Sequence, residues 1–341
     1  MNIIKSAMTE ERRKVAKQHF VPKFYLSRFT NPQGLLERLE LESGTLMTKP
    51  TSPSSECVEQ YFYAVETGKE DEVSQEIEEF WKVQEDYVGE RLGGVEQRIV
   101  EGHHLDDGDI FVLASLGAML WMRTPMFRET MNFNIGKLEK QLYQRRASLP
   151  EYTDEIMKFS DFSGLGFTRE KAEKLRQFIL DGKYSVSFNN VPHLQLIVSA
   201  FENFRNMFGH AKWRLYVTGG SRRFVTSTSP CIEIFPERKG FYGPSFYDRQ
   251  KLFPISPKVL AEIQLPLMPG KKTKRRMVDN AWILEHNIKQ ANWSILPGAR
   301  SRCYANRIVE LEELVEIRKE VENPELLKLI ARHAINKQSD L

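Results

Sequence analysis

Apolar residues return at helical spacing across residues 70–101, where Val73, Ile77, Phe80, Trp81, Tyr87, Val88 and Leu92 alternate with carboxylates. That period predicts a long amphipathic helix, weakened late where Gly93 and Gly94 raise the entropic cost of helical backbone. An apolar run over 110–122 predicts a second, buried helix. Asp106, Asp107 and Asp109 suit the positive end of its dipole, and Pro125 should interrupt or restart it after Arg123. Residues 149–166 are polar and glycine-containing and read as a loop, and 168–180 as a helix opened by Thr168 and stopped by Gly182. Residues 193–208 read as a further helix.

From Trp213 the pattern turns to short β-branched and aromatic runs, predicting strands at 213–218, 224–227, 231–235, 251–255 and 259–265. Gly219-Gly220 reads as a hairpin turn, and Ser256-Pro257 as the join of the last two strands. Earlier in the chain, 35–41 and 45–48 form a predicted small hairpin around Glu42-Ser43-Gly44. Residues 9–17 read as a short charged helix, and 277–291, 308–321 and 324–335 as helices. Helices therefore dominate the first half and an antiparallel sheet the second, which predicts an α+β fold with a helix-rich N-terminal part packed on a sheet-containing C-terminal part. One globular body over 1–341 is expected, with a boundary near 185–210 between a helical part (18–185) and a sheet part (210–310), and C-terminal helices over 308–337.

Composition acts mainly by exclusion. Apolar residues at 41% and charged residues at 28% are those of a globular chain, not a disordered or fibrous one. The 49 basic and 46 acidic residues nearly cancel to +3, so attraction to a polyanion has to be local. Three distant cysteines, Cys57, Cys231 and Cys303, suit a reducing compartment rather than a disulfide scaffold. No apolar run follows the charged N-terminal residues, and the stretch over 110–122 is too short to span a bilayer. A soluble, cytoplasmic protein with no membrane partner is expected.

Five passages stand out as motifs: His19, Val21, Pro22, Phe24, Tyr25, Leu26 and Phe29; Ile77-Glu78 with Glu85; Arg123-Thr124-Pro125 followed by Phe127-Arg128; FVTSTSP over 224–230; and Pro254-Ile255-Ser256-Pro257. Together they resemble the signatures of a bacterial family, domain-of-unknown-function family 4238, spread over roughly 18–310. The resemblance implies the domain and names no substrate. Where the family's turn motif usually runs Thr-Ser-Asp-Asn-Pro, this chain has Thr228 in place of the aspartate, and a neutral hydroxyl cannot serve as a carboxylate base.

His19, Glu78, Glu85 and Arg123 form the candidate catalytic set. A histidine exchanges protons near neutral pH, carboxylates orient it or hold a metal, and arginine clamps phosphate bidentately. The seven-residue spacing of Glu78 and Glu85 puts them on one helix face but about 10 Å apart along the axis. The bland reading is that His19 bonds within an aromatic core and that Arg123 pairs with a glutamate to hold helices together. Candidate phosphate or nucleic-acid contacts are Arg28, Ser227 in the hydroxyl-rich turn, and the basic run Lys271, Lys272, Lys274, Arg275 and Arg276. His103-His104 before Asp106-Asp107 reads as a solvated loop and helix cap. No Walker loop, dinucleotide fingerprint, His-Glu-x-x-His or Cys-x-x-Cys occurs.

Two functional readings follow. The first is a phosphoesterase or nuclease-like hydrolase acting on nucleic acid through His19, Glu78, Glu85 and Arg123, with a divalent metal as candidate cofactor. The second is a non-catalytic nucleic-acid- or protein-binding module in which those residues hold the fold. A catalytic set should border a cleft with His19 partly accessible, whereas a structural set should be buried and paired.

Overall fold

A computed structural model of the chain describes residues 17–60, 62–63, 65–66, 73–74, 76–186, 191–234, 250–265, 278–282, 285–296 and 301–321. The expected helix over 9–17 lies outside the described residues except for Lys17, which is in a strand, and the expected helix over 324–335 and the basic run over 269–276 lie wholly outside them. The chain divides into two compact units, one of 1–125 with 197–341 and one of 126–196. Its class is α+β, with a helical N-terminal part and antiparallel sheets.

The first unit opens with β1 (Lys17–His19), the one-turn helix α1 (Lys23–Leu26), β2 (Glu37–Glu40), β3 (Thr45–Leu46), β4 (Val58–Gln60), β5 (Val65–Glu66) and β6 (Val73–Ser74). Two long helices follow, α2 (Glu76–Val100) and α3 (Asp107–Met122). Helix α2 continues through Gly93 and Gly94 because Leu92, Val95 and Ile99 are buried on the same side. Tertiary burial of such residues outweighs the roughly 1 kcal/mol that each glycine costs a helix. Helix α3 starts in a full capping box: Asp109 N–H donates to Asp106 Oδ1 at 2.8 Å, and Asp106 N–H donates to Asp109 Oδ2 at 3.2 Å. Every residue from Leu113 to Met122 is buried, so α3 is a core helix. Among the described residues no single helix is long and apolar enough to cross a membrane.

The second unit contains α4 (Pro125–Ala147) from its second residue, α5 (Tyr152–Phe162), α6 (Arg169–Asp181) and the opening of α7 (Val191–Gly209). Helix α5 replaces the loop expected over 149–166. Tyr152, Ile156 and Ser160 recur every fourth residue and are buried, a helical stripe that the surrounding polar composition masks. Tyr152 and Ile156 join Ala147 and Ala172 in a small core, while Phe133, Phe159, Phe162 and Leu165 are exposed. Thr168 caps α6 by accepting from Lys171 N–H, and Gly182 ends it at φ 63°, as the sequence suggests.

Back in the first unit, the rest of α7 buries Ile197, Phe201 and Phe208. It leads into β7 (Lys212–Val217), β8 (Thr226–Ser227), β9 (Ile232–Ile234), β10 (Gln250–Ser256), β11 (Val259–Gln264) and β12 (Val278–Trp282). Then come α8 (Glu285–Ile295), β13 (Arg302–Ala305) and α9 (Ile308–Val321). The main sheet runs β12-β7-β11-β10-β9, antiparallel except that β12 lies parallel to β7. The single helix expected over 277–291 is thus a strand, paired along its length with β7, followed by α8. Gly219-Gly220 does not close a hairpin: β7 bonds to β11 and β12, while β8 belongs to a second sheet, β3-β2-β13-β8. That sheet joins chain segments more than 200 residues apart, pairing Cys303 with both Leu39 and Ser227.

Candidate functional site

The N-terminal motif is the hub of the first unit. Val21, Tyr25, Leu26 and Phe29 are fully buried. Tyr25 Oη lies 2.8 Å from Thr226 Oγ1 and donates to the Pro254 carbonyl at 2.9 Å. Arg28 Nε donates to the Ile255 carbonyl at 3.2 Å, and its Nη2 pairs with Glu96 on α2. The motif therefore holds both the Thr-Ser-Thr-Ser-Pro element and the Pro-Ile-Ser-Pro element.

Its other end meets Arg123, which follows α3 and is completely buried. Each guanidinium nitrogen is bonded: Nε donates to Tyr63 Oη at 2.9 Å, Nη2 to the His19 carbonyl at 2.5 Å, and Nη1 to Glu85. The cation also lies 4.8 Å from the Trp81 ring centroid and 5.3 Å from that of Tyr63. Glu78, Trp81 and Glu85 stand at i, i+3 and i+7 of α2, so one helix face supplies both carboxylates and the aromatic platform. Burial alone would lower the Arg123 pKa, but Tyr63 and Glu85 outweigh it and hold the cation more firmly than usual.

All four residues of the expected catalytic set thus converge. Two polar atoms among them are buried without a hydrogen-bond partner, His19 Nε2 and Glu78 Oε2. Burial lowers the His19 pKa against the opposing pull of Glu85, so the ring is neutral at neutral pH. Burial likewise raises the Glu78 pKa, against the pull of Arg123 and with help from Glu85. Chemically the set offers a neutral imidazole and a carboxyl that resists ionisation beside the buried Arg123–Glu85 ion pair. Among the described residues no group of three or more His, Cys, Asp or Glu side chains gathers as metal ligands would.

A different part of the same unit carries the cleft. About 550 Å³ in volume, it is lined by Arg28, Gly93, Glu96 and Val100 on one side and by Arg223, Pro257, Lys258 and Asn306 on the other. Three cations face two carboxylates, Glu96 and Glu101. Arg28 neutralises Glu96, and Glu101 accepts from Gln97 Nε2 at 2.9 Å. Arg223 spends Nη1 on the carbonyls of Gly220 and Arg222, whereas Lys258 is exposed and has no ion-pair partner among the described residues. Asn306 Oδ1 is buried and unbonded. Of these residues sequence reasoning singled out only Arg28 as a contact. Lys258 directly follows the Pro-Ile-Ser-Pro motif, a signal that could have led to it.

The remaining candidates lie elsewhere. Ser227 is fully buried in β8, its Oγ accepting from Ser229 N–H at 3.2 Å. Lys271, Lys272, Lys274, Arg275 and Arg276 lie outside the described residues. Thr228 donates its N–H to the Arg302 carbonyl at 3.1 Å. Arg302 in turn pairs with Glu56, a buried carboxylate that also accepts from Arg38 at 2.6 Å and from Tyr304 at 2.8 Å. His103 and His104 are exposed, and all three cysteines are buried thiols. Burial pushes Cys57 and Cys231 up to about 12, which makes them poor nucleophiles.

With this geometry in place, the comparisons add a family. The family model described as "Protein of unknown function (DUF4238)" matches residues 17–307. No curated protein and no solved structure matches the chain significantly.

Proposed function

We propose that this chain, which belongs to the DUF4238 family of proteins of unknown function, is a non-catalytic module that binds phosphate-bearing components of nucleic acid in the Arg28 cleft, while the His19 set holds the fold. The observation that carries the reading is the contrast between two arginines. Arg123 has all three nitrogens bonded inside the core and its side chain is shut off from solvent, so it cannot reach out to clamp a substrate phosphate. Arg28 lines an open cleft together with Arg223 and Lys258, where the cationic groups outnumber the carboxylates. Such local positive charge in a nearly neutral chain suits an anion of limited size.

Equilibrium binding of labelled single-stranded RNA and DNA and of nucleoside monophosphates, at low and physiological salt, tests the proposal on wild type and on Arg223→Ala/Lys258→Ala. Two charge-assisted hydrogen bonds contribute about 1.5–3 kcal/mol each, so the double variant should bind at least about tenfold more weakly. Its thermal midpoint should fall by no more than a few degrees, because Lys258 is exposed and Arg223 gives up only its bonds to the Gly220 and Arg222 carbonyls. Equal binding by the double variant would refute the assignment of the cleft. The catalytic reading draws on one observation, the unpartnered His19 Nε2 and Glu78 Oε2, and predicts instead an activity that His19→Ala abolishes.

A further inference from the structure

Gly93 has no structural reason to be glycine. It sits inside α2, with helical backbone on either side, and a Cβ built there meets no atom within 4 Å. Glycine weakens a helix interior, so a position that could hold alanine without contact but holds glycine calls for another cause. One is at hand, because Gly93 lines the cleft, whereas the adjacent Gly94 does not. A Gly94 Cβ would meet only Arg98 Nη1, at 3.7 Å, an ordinary contact.

Around Gly93 the cleft is chemically divided. Gly93 and Val100 from α2 face it from one side and Pro257 from another, giving apolar surface suited to a flat ring. Arg223 and Lys258 supply cationic donors. Gln97 and Asn306 supply polar side chains to the lining. A volume of about 550 Å³ is in the range that encloses one small molecule.

Resting on the phosphate-binding reading above, we propose that the cleft takes a single nucleoside monophosphate-sized ligand, with its phosphate on Arg223 and Lys258 and its ring against the bare backbone at Gly93. Gly93 is the specificity feature, since any side chain there would occupy the place of the ring.

Calorimetric titration of the full chain with AMP, GMP, CMP, UMP, inorganic phosphate and a single-stranded 20-mer, on wild type, Gly93→Leu and Gly94→Leu, tests this. At least one monophosphate should bind wild type at least about tenfold more tightly than inorganic phosphate does. Gly93→Leu should lose at least about tenfold in that affinity and Gly94→Leu should keep it, both with thermal midpoints no lower than wild type. Equal affinity of Gly93→Leu and wild type would overturn the inference, as would binding of inorganic phosphate as tight as that of every monophosphate. Binding of the 20-mer alone would overturn it too, but leave the broader reading standing. No binding of any of these ligands would overturn both.

Discussion

At Arg123 a guanidinium is shut away from water with Tyr63, Glu85 and the His19 carbonyl on its nitrogens. Removing one partner of a buried pair leaves the other uncompensated, so Arg123→Met should lower stability by about 3 kcal/mol, at the modest end because Glu85 keeps a quarter of its side chain exposed. Urea denaturation measures it, and a loss below about 1 kcal/mol would deny the strut role. His19 and Glu78 give opposite pH signatures. The His19 pKa is depressed below 6.5 by burial, so its contribution is present above 6.5 and lost as pH falls through the folded-state value. His19→Gln should flatten that acid limb. The Glu78 pKa is raised above 4.5, so its contribution is present below 4.5 and lost as pH rises through the folded-state value. Glu78→Gln should therefore be the more stable protein at neutral pH and equal to wild type in acid; a less stable variant at neutral pH would contradict the burial that raises Glu78. At this scale the sequence already showed His19, Glu78, Glu85 and Arg123 as polar residues set in apolar passages. It could not show Tyr63 or Asn306, which matter only through partners distant in the chain.

Among the elements, α3 is closely packed. A Cβ at Gly117 would fall 2.9 Å from one Phe208 ring carbon and 3.0 Å from the tip of Phe253, both rings fully buried. Gly117→Ala should therefore cost about 1–3 kcal/mol despite alanine's better helix propensity. The same substitution at Gly93 should instead stabilise, and comparing the two thermal midpoints separates packing from propensity. Elements with a strong period were legible: α2, α3 with its acidic cap, α6 between Thr168 and Gly182, and the β10–β11 hairpin around Ser256-Pro257. Helix α5 was not, because Asp, Ser and Gly around its short apolar stripe imitate a loop. Nor was β12, whose five residues run directly toward a true helix. Turn chemistry at Gly219-Gly220 suggested a hairpin, but strand pairing is decided by which surfaces bury together, and that is a tertiary matter.

Across the whole chain, the α+β class followed from the order of periodic segments, whereas the pairing of β13 with β2 and β8 joins residues that no local pattern connects. The cleft has the same origin: Arg28, the Gly93 turn of α2, Arg223, the Pro257-Lys258 turn and Asn306 meet only in the fold. Convergence of His19, Glu78, Glu85 and Arg123 is equally a tertiary fact, and it brings them together around a buried cation rather than beside that cleft. The proposed division between a structural cluster and a separate binding cleft is tested most directly by His19→Ala beside wild type, with thermal midpoint and cleavage of pooled RNA and DNA recorded with and without divalent metal. Wild type should cleave none of the substrates, and His19→Ala should lower the midpoint. Cleavage by wild type that vanishes in His19→Ala at an unchanged midpoint would contradict the division and make the His19 cluster an active site.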